Sequence, residues 1–391
     1  MTEKLPKLSD YAEDVQKCMR CGFCRNLCPT FNSISWEAGS PRGRMQLAKA
    51  FLDGEIEFTD YMKERIFECA LCGYCTWRCP AGVRTTDVIK AARAHMLENK
   101  ASPQNVQVLL GNLSKEHNLY GLSHTMRTDW LGYPWIGLKD KVELSRKGAD
   151  VLYFVGCICS YSGKKNMTGK ATAQILSKTG ADWTLLGNDE WCCGDPSMLS
   201  GDFGFAQESA RHNVRMAQDL GVKKVVTSCA GCYRMWKQEY PALLDENPGI
   251  EVQHISQYIS DALQSGKLKL SRELNTTLTY HDPCELGRLG EVFDEPRQIL
   301  KAVPGVEFKE MGKNRYLSRC CGGGGDLKVA YPDMSMEVGT RRLKEAQDTG
   351  AKGIVSCCPA CELQLSDVAQ KNGVPMQVFN IAEIVARAMA P

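Results

Sequence analysis

The chain changes its hydrophobic rhythm part-way along. In the first hundred residues apolar positions recur at helical spacing: 45–52 and 61–68 read as helices, and 86–100 places Val88, Ala91, Ala92 and His95 on one face. From 101 to 150 the pattern breaks up around Pro103, Pro134, scattered glycines and a charged stretch at 139–147. This segment is expected to be a connector that packs over a domain junction through Trp130, Trp135 and Ile136. Beyond it, short β-branched runs alternate with helical stretches. Residues 151–155, 183–186 and 224–227 read as strands, and Phe203, Ala206, Ala210, Val214 and Ala217 line one side of a helix over 203–220. Ile381, Ile384, Val385 and Ala388 mark a terminal amphipathic helix. Alternation of this kind predicts α/β units with mainly parallel sheets.

The second part repeats itself. Residues 151–157 parallel 278–284, Trp191-Cys-Cys-Gly194 parallels Arg319-Cys-Cys-Gly322, 221–232 parallels 350–361, and 252–259 parallels 378–385. The offset stays between 126 and 129 residues, so a duplication is expected.

Composition narrows the class. Within 391 residues, 43% hydrophobic and 24% charged, the formal net charge is +2, which gives no reason to invoke nucleic acid. The first fifteen residues show no apolar signal core, and no run reaches the roughly 18 apolar residues of a spanning helix. The expectation is a cytoplasmic protein whose contact with the inner membrane face, if any, comes through a partner subunit. The outlying number is 20 cysteines. In a reducing compartment clustered thiols are more often metal ligands than disulfides.

Their spacing is specific. Cys18, Cys21, Cys24 and Cys28, followed by Pro29, form one C-x₂-C-x₂-C-x₃-C-P run; Cys69, Cys72, Cys75 and Cys79, followed by Pro80, form another. In such runs three thiolates serve one cubane and the fourth serves the other cluster. That logic pairs Cys18, Cys21 and Cys24 with Cys79 for one [4Fe–4S] cluster, and Cys69, Cys72 and Cys75 with Cys28 for the second. The first domain is therefore expected to be an α-helical ferredoxin, with a zinc site as the competing reading. The 40 residues between the runs include Ser40-Pro41-Arg42-Gly43-Arg44, a polar turn whose arginines either touch cluster sulfurs, dock a redox partner or stand in solvent.

Each repeat contributes five thiols: Cys157, Cys192, Cys193, Cys229 and Cys232, then Cys284, Cys320, Cys321, Cys358 and Cys361. Adjacent cysteines cannot comfortably ligate one small tetrahedral ion, and five thiols exceed what a cubane or zinc needs. An unusual polynuclear iron–sulfur site in each repeat follows; a structural zinc with a spare thiol competes with it. Cys159 and Cys357 fall outside the repeat and read as buried small hydrophobes. Gly322–Gly325 belongs to no phosphate-loop motif and is read as close backbone approach to a cluster. No flavin or nucleotide signature is present, so primary donors are expected on another subunit.

At these motifs the chain resembles the heterodisulfide reductase subunit in which a small ferredoxin is fused to the catalytic part. It is also similar to the iron–sulfur subunits of glycolate, D-lactate and anaerobic glycerol-3-phosphate dehydrogenases. The resemblance implies two tandem pseudo-symmetric CCG modules, each holding a noncubane [4Fe–4S] cluster through its five cysteines, the pair cleaving a disulfide of the coenzyme M–coenzyme B type. It also implies a redox partner, either a flavoprotein or a membrane cytochrome b. The family's D-P-C-H reads Asp282-Pro283-Cys284-Glu285 here, which puts any role of that histidine in doubt. His281 stands nearby as a candidate catalytic proton donor, with a core or supporting role as the alternative. The expected architecture is α-helical plus α/β: a ferredoxin domain at 1–101, a connector at 102–150, and modules at 151–273 and 274–391. The expected activity is disulfide reduction within a multi-subunit complex; the alternative is a non-catalytic electron wire serving a flavin-dependent glycolate or D-lactate dehydrogenase, or an electron-transfer-flavoprotein–quinone oxidoreductase complex.

Overall fold

A computed structural model describes residues 5–390. The N-terminal part is entirely helical among the described residues, and two α/β modules follow. In the first module β1 (Val151–Phe154), β2 (Trp183–Thr184), β3 (Lys224–Thr227) and β4 (Glu251–His254) form a parallel sheet ordered β2-β1-β3-β4. In the second, β5 (Thr276–Tyr280), β6 (Val306–Lys309), β7 (Gly353–Ser356) and β8 (Gln377–Asn380) repeat it as β6-β5-β7-β8. The register pairs Val151 with both Trp183 and Lys224, and Leu278 with both Phe308 and Gly353. β1 and β7 are buried along their whole length because helices cover both faces, which is why they read as unbroken apolar runs.

This strand order fixes where the chemistry falls. In each sheet the connections depart to opposite sides between the two central strands, and crevices open at such switch points beyond the strand ends. Cys157 opens the helix Cys157–Tyr161 after β1, and Cys229 caps Ala230–Arg234 after β3. In the second module Cys358 caps Pro359–Lys371 after β7. The modules face each other across these ends. Helix Asn166–Lys178 packs on Ile381–Ala388, and Ile255–Gln264 packs on Asp294–Ala302. The buried Lys165–Glu362 ion pair at 2.9 Å, the Arg234–Glu285 pair at 2.8 Å, and His254 Nε2 against the Cys357 carbonyl at 3.0 Å tie the halves together.

Several expectations need correction. The connector is not mainly irregular: Gln104–Glu116 is a helix that buries Val106, Leu109 and Leu113 at i, i+3 and i+7. Trp130 and Ile136 are buried, Trp130 lying against Gly169, but Trp135 is 55% exposed and takes no part in that packing. Ser40–Arg44 is no free turn. Ser40 Oγ accepts from the Gly43 amide as the cap of helix Pro41–Leu52, and Arg44 is fully buried, its guanidinium donating to Thr30 Oγ1 and to the Arg65 carbonyl. Ser40-Pro-Arg was a capping signal as well as a turn signal, and the cap prevailed. Among the described residues no helix is long and apolar enough to cross a membrane.

Candidate iron–sulfur sites

The two N-terminal cysteine runs fold alike. In each, the residues on either side of the second thiol take a left-handed conformation: Arg20 and Gly22 in one run, Leu71 and Gly73 in the other. These turns curl the first three sulfurs inward, and Pro29 then starts a helix that carries Cys28 away from its own run. One small cavity, about 30 Å³, is bordered by Cys18, Cys21, Cys24 and Cys79, with Cys75 at its edge. A second, about 20 Å³, is bordered by Cys28, Cys69, Cys72 and Cys75, with Cys24 at its edge. Backbone amides point at these sulfurs: Leu71 N–H to Cys69 Sγ and Val83 N–H to Cys79 Sγ, each at 3.4 Å. Burial above all pushes the Cys72 thiol up to about 12, so its thiolate needs a cation beside it. A donor set of buried sulfurs with amides aimed at them suits a metal cluster.

The ten module thiols form one continuous series. Cys157 contacts Cys192, Cys192 contacts Cys193, Cys193 contacts Cys232 and Cys232 contacts Cys229. Cys229 then meets Cys358 of the other module, and the series continues through Cys361, Cys321, Cys320 and Cys284. Cys321 and Cys361 sulfurs are 3.2 Å apart. Both sets open on a single cavity of about 470 Å³ whose walls also include Leu109, Tyr120, Ile158 and Leu363. Gly156 has φ +76°, and a Cβ there would lie 3.0 Å from Cys232 Sγ, so glycine is needed for the chain to pass this thiol.

The modules differ in what surrounds their thiols. In the first, Arg127 donates to Cys157 Sγ at 3.5 Å and to the His117 carbonyl, and pairs with buried Glu190 at 2.8 Å. Glu190 accepts from the Val155 and Gly156 amides and so shapes the loop that presents Cys157. In the second module no arginine plays that part among the described residues, but the site touches the ferredoxin domain. Cys72 packs with Cys320, Leu327 and Val338, and Arg288 donates to the Cys72 carbonyl at 2.6 Å. Asp195 lines the cavity fully buried; burial raises its carboxyl, and its Oδ1 has no hydrogen-bond partner among the described residues.

His281 ends just past β5, with its ring nitrogen and the Cys321 and Cys361 sulfurs all within 4.8 Å. Arg342 Nε donates to its Nδ1 at 3.0 Å, which leaves the ring proton on Nε2. Burial first, then Arg342, lower its pKa to about 3, so the ring stays neutral. It stands behind the sulfurs rather than on the cavity wall. Glu285 does line the cavity, paired with Arg234 of the other module. Cys159 is buried near Ser228 and borders the cavity; Cys357 is buried against Tyr280 and does not.

One residue escaped the sequence reading. Arg93, fully buried on helix Thr85–Glu98, donates to the carbonyls of Ile66, Phe67 and Cys69 in the ferredoxin domain, Leu199 in the first module and Gly325 in the second. Its one sequence signal is a charge among Ala91, Ala92 and Ala94, on a face that otherwise buries. Gly325 is where the second module comes closest: a Cβ there would lie 2.3 Å from the Ala70 backbone. The close approach foreseen for Gly322–Gly325 is thus, at Gly325, to another domain's backbone.

Residues 151–237 and 278–366 match the CCG cysteine-rich domain family, and 14–83 match the 4Fe-4S dicluster domain family. The chain is 35% identical over 395 aligned residues to an iron–sulfur subunit of the same make-up, from the dihydromethanophenazine:CoB–CoM heterodisulfide reductase of Methanosarcina barkeri, covering 96% of this chain and 94% of that one. The chain belongs to this heterodisulfide reductase subunit family. Membership makes it an iron–sulfur protein of the electron-transferring oxidoreductase type. A more distant relative, the EtfAB:quinone oxidoreductase of Syntrophomonas wolfei, is 27% identical over 96% of this chain and 58% of its own length. In fold alone the chain is similar to a hypothetical protein of Helicobacter pylori, at a TM-score of 0.65 and 10% identity, covering 97% of this chain and 72% of the other. The relationship to the reductase subunit spans helical domain and modules alike, so the shared unit is the whole arrangement rather than one motif.

Proposed function

We propose that this chain passes electrons from two cubane clusters to two noncubane clusters that together reduce a small disulfide to two thiols. The supporting observation is the single cavity onto which both five-thiol sets open, joined at Cys229 and Cys358. Clusters bound there would supply single electrons. Cleaving RS–SR′ takes two electrons and two protons, so two one-electron sites on one substrate satisfy the balance. On this reading Cys18, Cys21, Cys24 and Cys79 hold the outer cubane and Cys28, Cys69, Cys72 and Cys75 the inner one. The five thiols of each module hold its noncubane cluster. The contact of Cys72 with Cys320 makes the second module the first to receive an electron. His281, fixed as the Nε2–H tautomer by Arg342, orients and hydrogen-bonds a sulfur instead of storing a proton. The apolar wall excludes water, and Asp195 and Glu285 are the groups at hand to relay protons.

Anaerobic purification with iron counting and EPR tests the assignment; about sixteen iron atoms per chain are expected. Reduction of the coenzyme M–coenzyme B heterodisulfide or another small disulfide with a dye donor tests the activity. A fully loaded protein that reduces none would remove it. The similarity to an electron-transfer-flavoprotein:quinone oxidoreductase favours a second reading, an electron wire between a flavoprotein and a quinone-reducing partner. Co-purification with a flavoprotein and no disulfide reduction would select it.

A further inference from the structure

Electrons must enter or leave through one surface, and the fold leaves one N-terminal thiol in the open. Cys21 is exposed, whereas Cys28, Cys69, Cys72 and Cys75 are buried. Around it stand large apolar side chains that a free surface rarely carries together: Met19 is 64% exposed, Phe23 54% and Trp77 41%. They are held in place. Arg78 lies over the Phe23 ring at 5.6 Å, and Trp77 stacks on Tyr316 at 5.1 Å, linking the rim to the second module.

The charge is one-sided. The segments 17–42 and 76–84 hold six cations (Lys17, Arg20, Arg25, Arg42, Arg78 and Arg84) and a single carboxylate, Glu37, in a chain otherwise balanced at 48 to 46. Glu37 pairs with Arg42 and Arg25, Lys17 with Glu13, and Arg84 with Asp14. Arg20 and Arg78 are exposed and form no ion pair among the described residues. An apolar centre flanked by cations is what a transient electron-transfer contact presents to an acidic partner, where complementary charge raises the encounter rate.

We propose that Met19, Phe23 and Trp77, with Arg20 and Arg78, form the docking face for a small electron-carrier protein whose cofactor edge is ringed by carboxylates. This rests on Cys18, Cys21, Cys24 and Cys79 holding the outer cubane. One electron crosses per encounter: the carrier is oxidised by one and the site reduced by one, with no bond made or broken.

The test mixes the anaerobically loaded full chain with a reduced, acidic two-cluster bacterial ferredoxin and follows electron uptake by stopped-flow absorbance. Each rate is divided by that for photoreduced deazaflavin on the same sample, which removes changes in the site itself. The normalised rate should fall at least about tenfold between about 20 and about 500 mM salt. It should fall about tenfold at low salt in the R20E/R78E double variant, and F23A should lower it at high salt too. A rate indifferent to salt and to all three substitutions overturns the proposal. So does binding to anionic phosphatidylserine vesicles that R20E/R78E abolishes while the ferredoxin rate stays put, which would make the patch a membrane contact. EPR of each sample separates the two levels: absent cubane signals sink the cluster assignment, and intact signals with unchanged rates sink only the docking face.

Discussion

Replacing Arg93 by methionine keeps most of the side-chain volume and removes one charge. Five carbonyls from three parts of the molecule then lose a donor at distances of 2.7 to 3.2 Å, and Asp326 loses a cation 3.8 Å away. Hydrogen bonds to a charged group contribute about 1.5–3 kcal/mol each. A simple sum overshoots, because three carbonyls share one nitrogen and the pocket relaxes. Removing one member of a buried, hydrogen-bonded charge set costs about 3–5 kcal/mol. We therefore expect R93M to destabilise the docked chain by about 4 kcal/mol, a large part of the roughly 5–15 kcal/mol that holds a domain folded. Calorimetry on the anaerobically prepared full chain should show the melting temperature falling by about 10 °C. Lysine at this position keeps the charge but not the fork, so R93K should fall between. If R93M melts within about 2 °C of the parent, the guanidinium is not what joins the three parts, and the reasoning fails.

Other outcomes follow from neighbouring features. Gly325→Ala adds a Cβ 2.3 Å from the Ala70 backbone at φ +64°, and should cost at least about 2 kcal/mol by denaturant titration. Arg127→Gln removes a cation 3.5 Å from Cys157 Sγ, and redox titration followed by EPR should show the first-module signal shifted about 50–100 mV negative, where 100 mV is about 2.3 kcal/mol per electron. Arg84 holds the Asp14 carboxyl below its ordinary value, chiefly by hydrogen bonds from its guanidinium. The stability this gives is present above the unfolded carboxyl pKa and lost as pH falls through the folded one; Asp14→Asn should lower the melting temperature at neutral pH, and the two curves should converge in acid.

Much of the fold was legible because its signals are local and repeated. The duplicated strand runs, the two C-x₂-C-x₂-C-x₃-C-P stretches and the helix over Phe203–Leu220 each announce themselves within a few residues. The helix Gln104–Glu116 did not, since Pro103 and the polar residues between Val106 and Leu113 masked a short apolar stripe. The convergence of cysteines into four groups was expected from spacing, but spacing within each repeat could not show that the two five-thiol sets adjoin through Cys229 and Cys358. That depends on how whole modules dock. Arg93 was hidden for the same reason: its five acceptors are backbone carbonyls, which carry no side-chain signature, and they come from three separate stretches of the chain.

The Lys165–Glu362 pair makes the duplicated halves non-interchangeable. The position matching Glu362 in the first half is Tyr233, and the one matching Lys165 in the second is Val292. Two first halves assembled face to face would each bury an ammonium against a tyrosine, and two second halves would bury a carboxylate against valine. Either mismatch strands a charge in a dry interior. Whatever symmetric ancestor the duplication began from, the present gene is committed to carrying both copies on one polypeptide in this order.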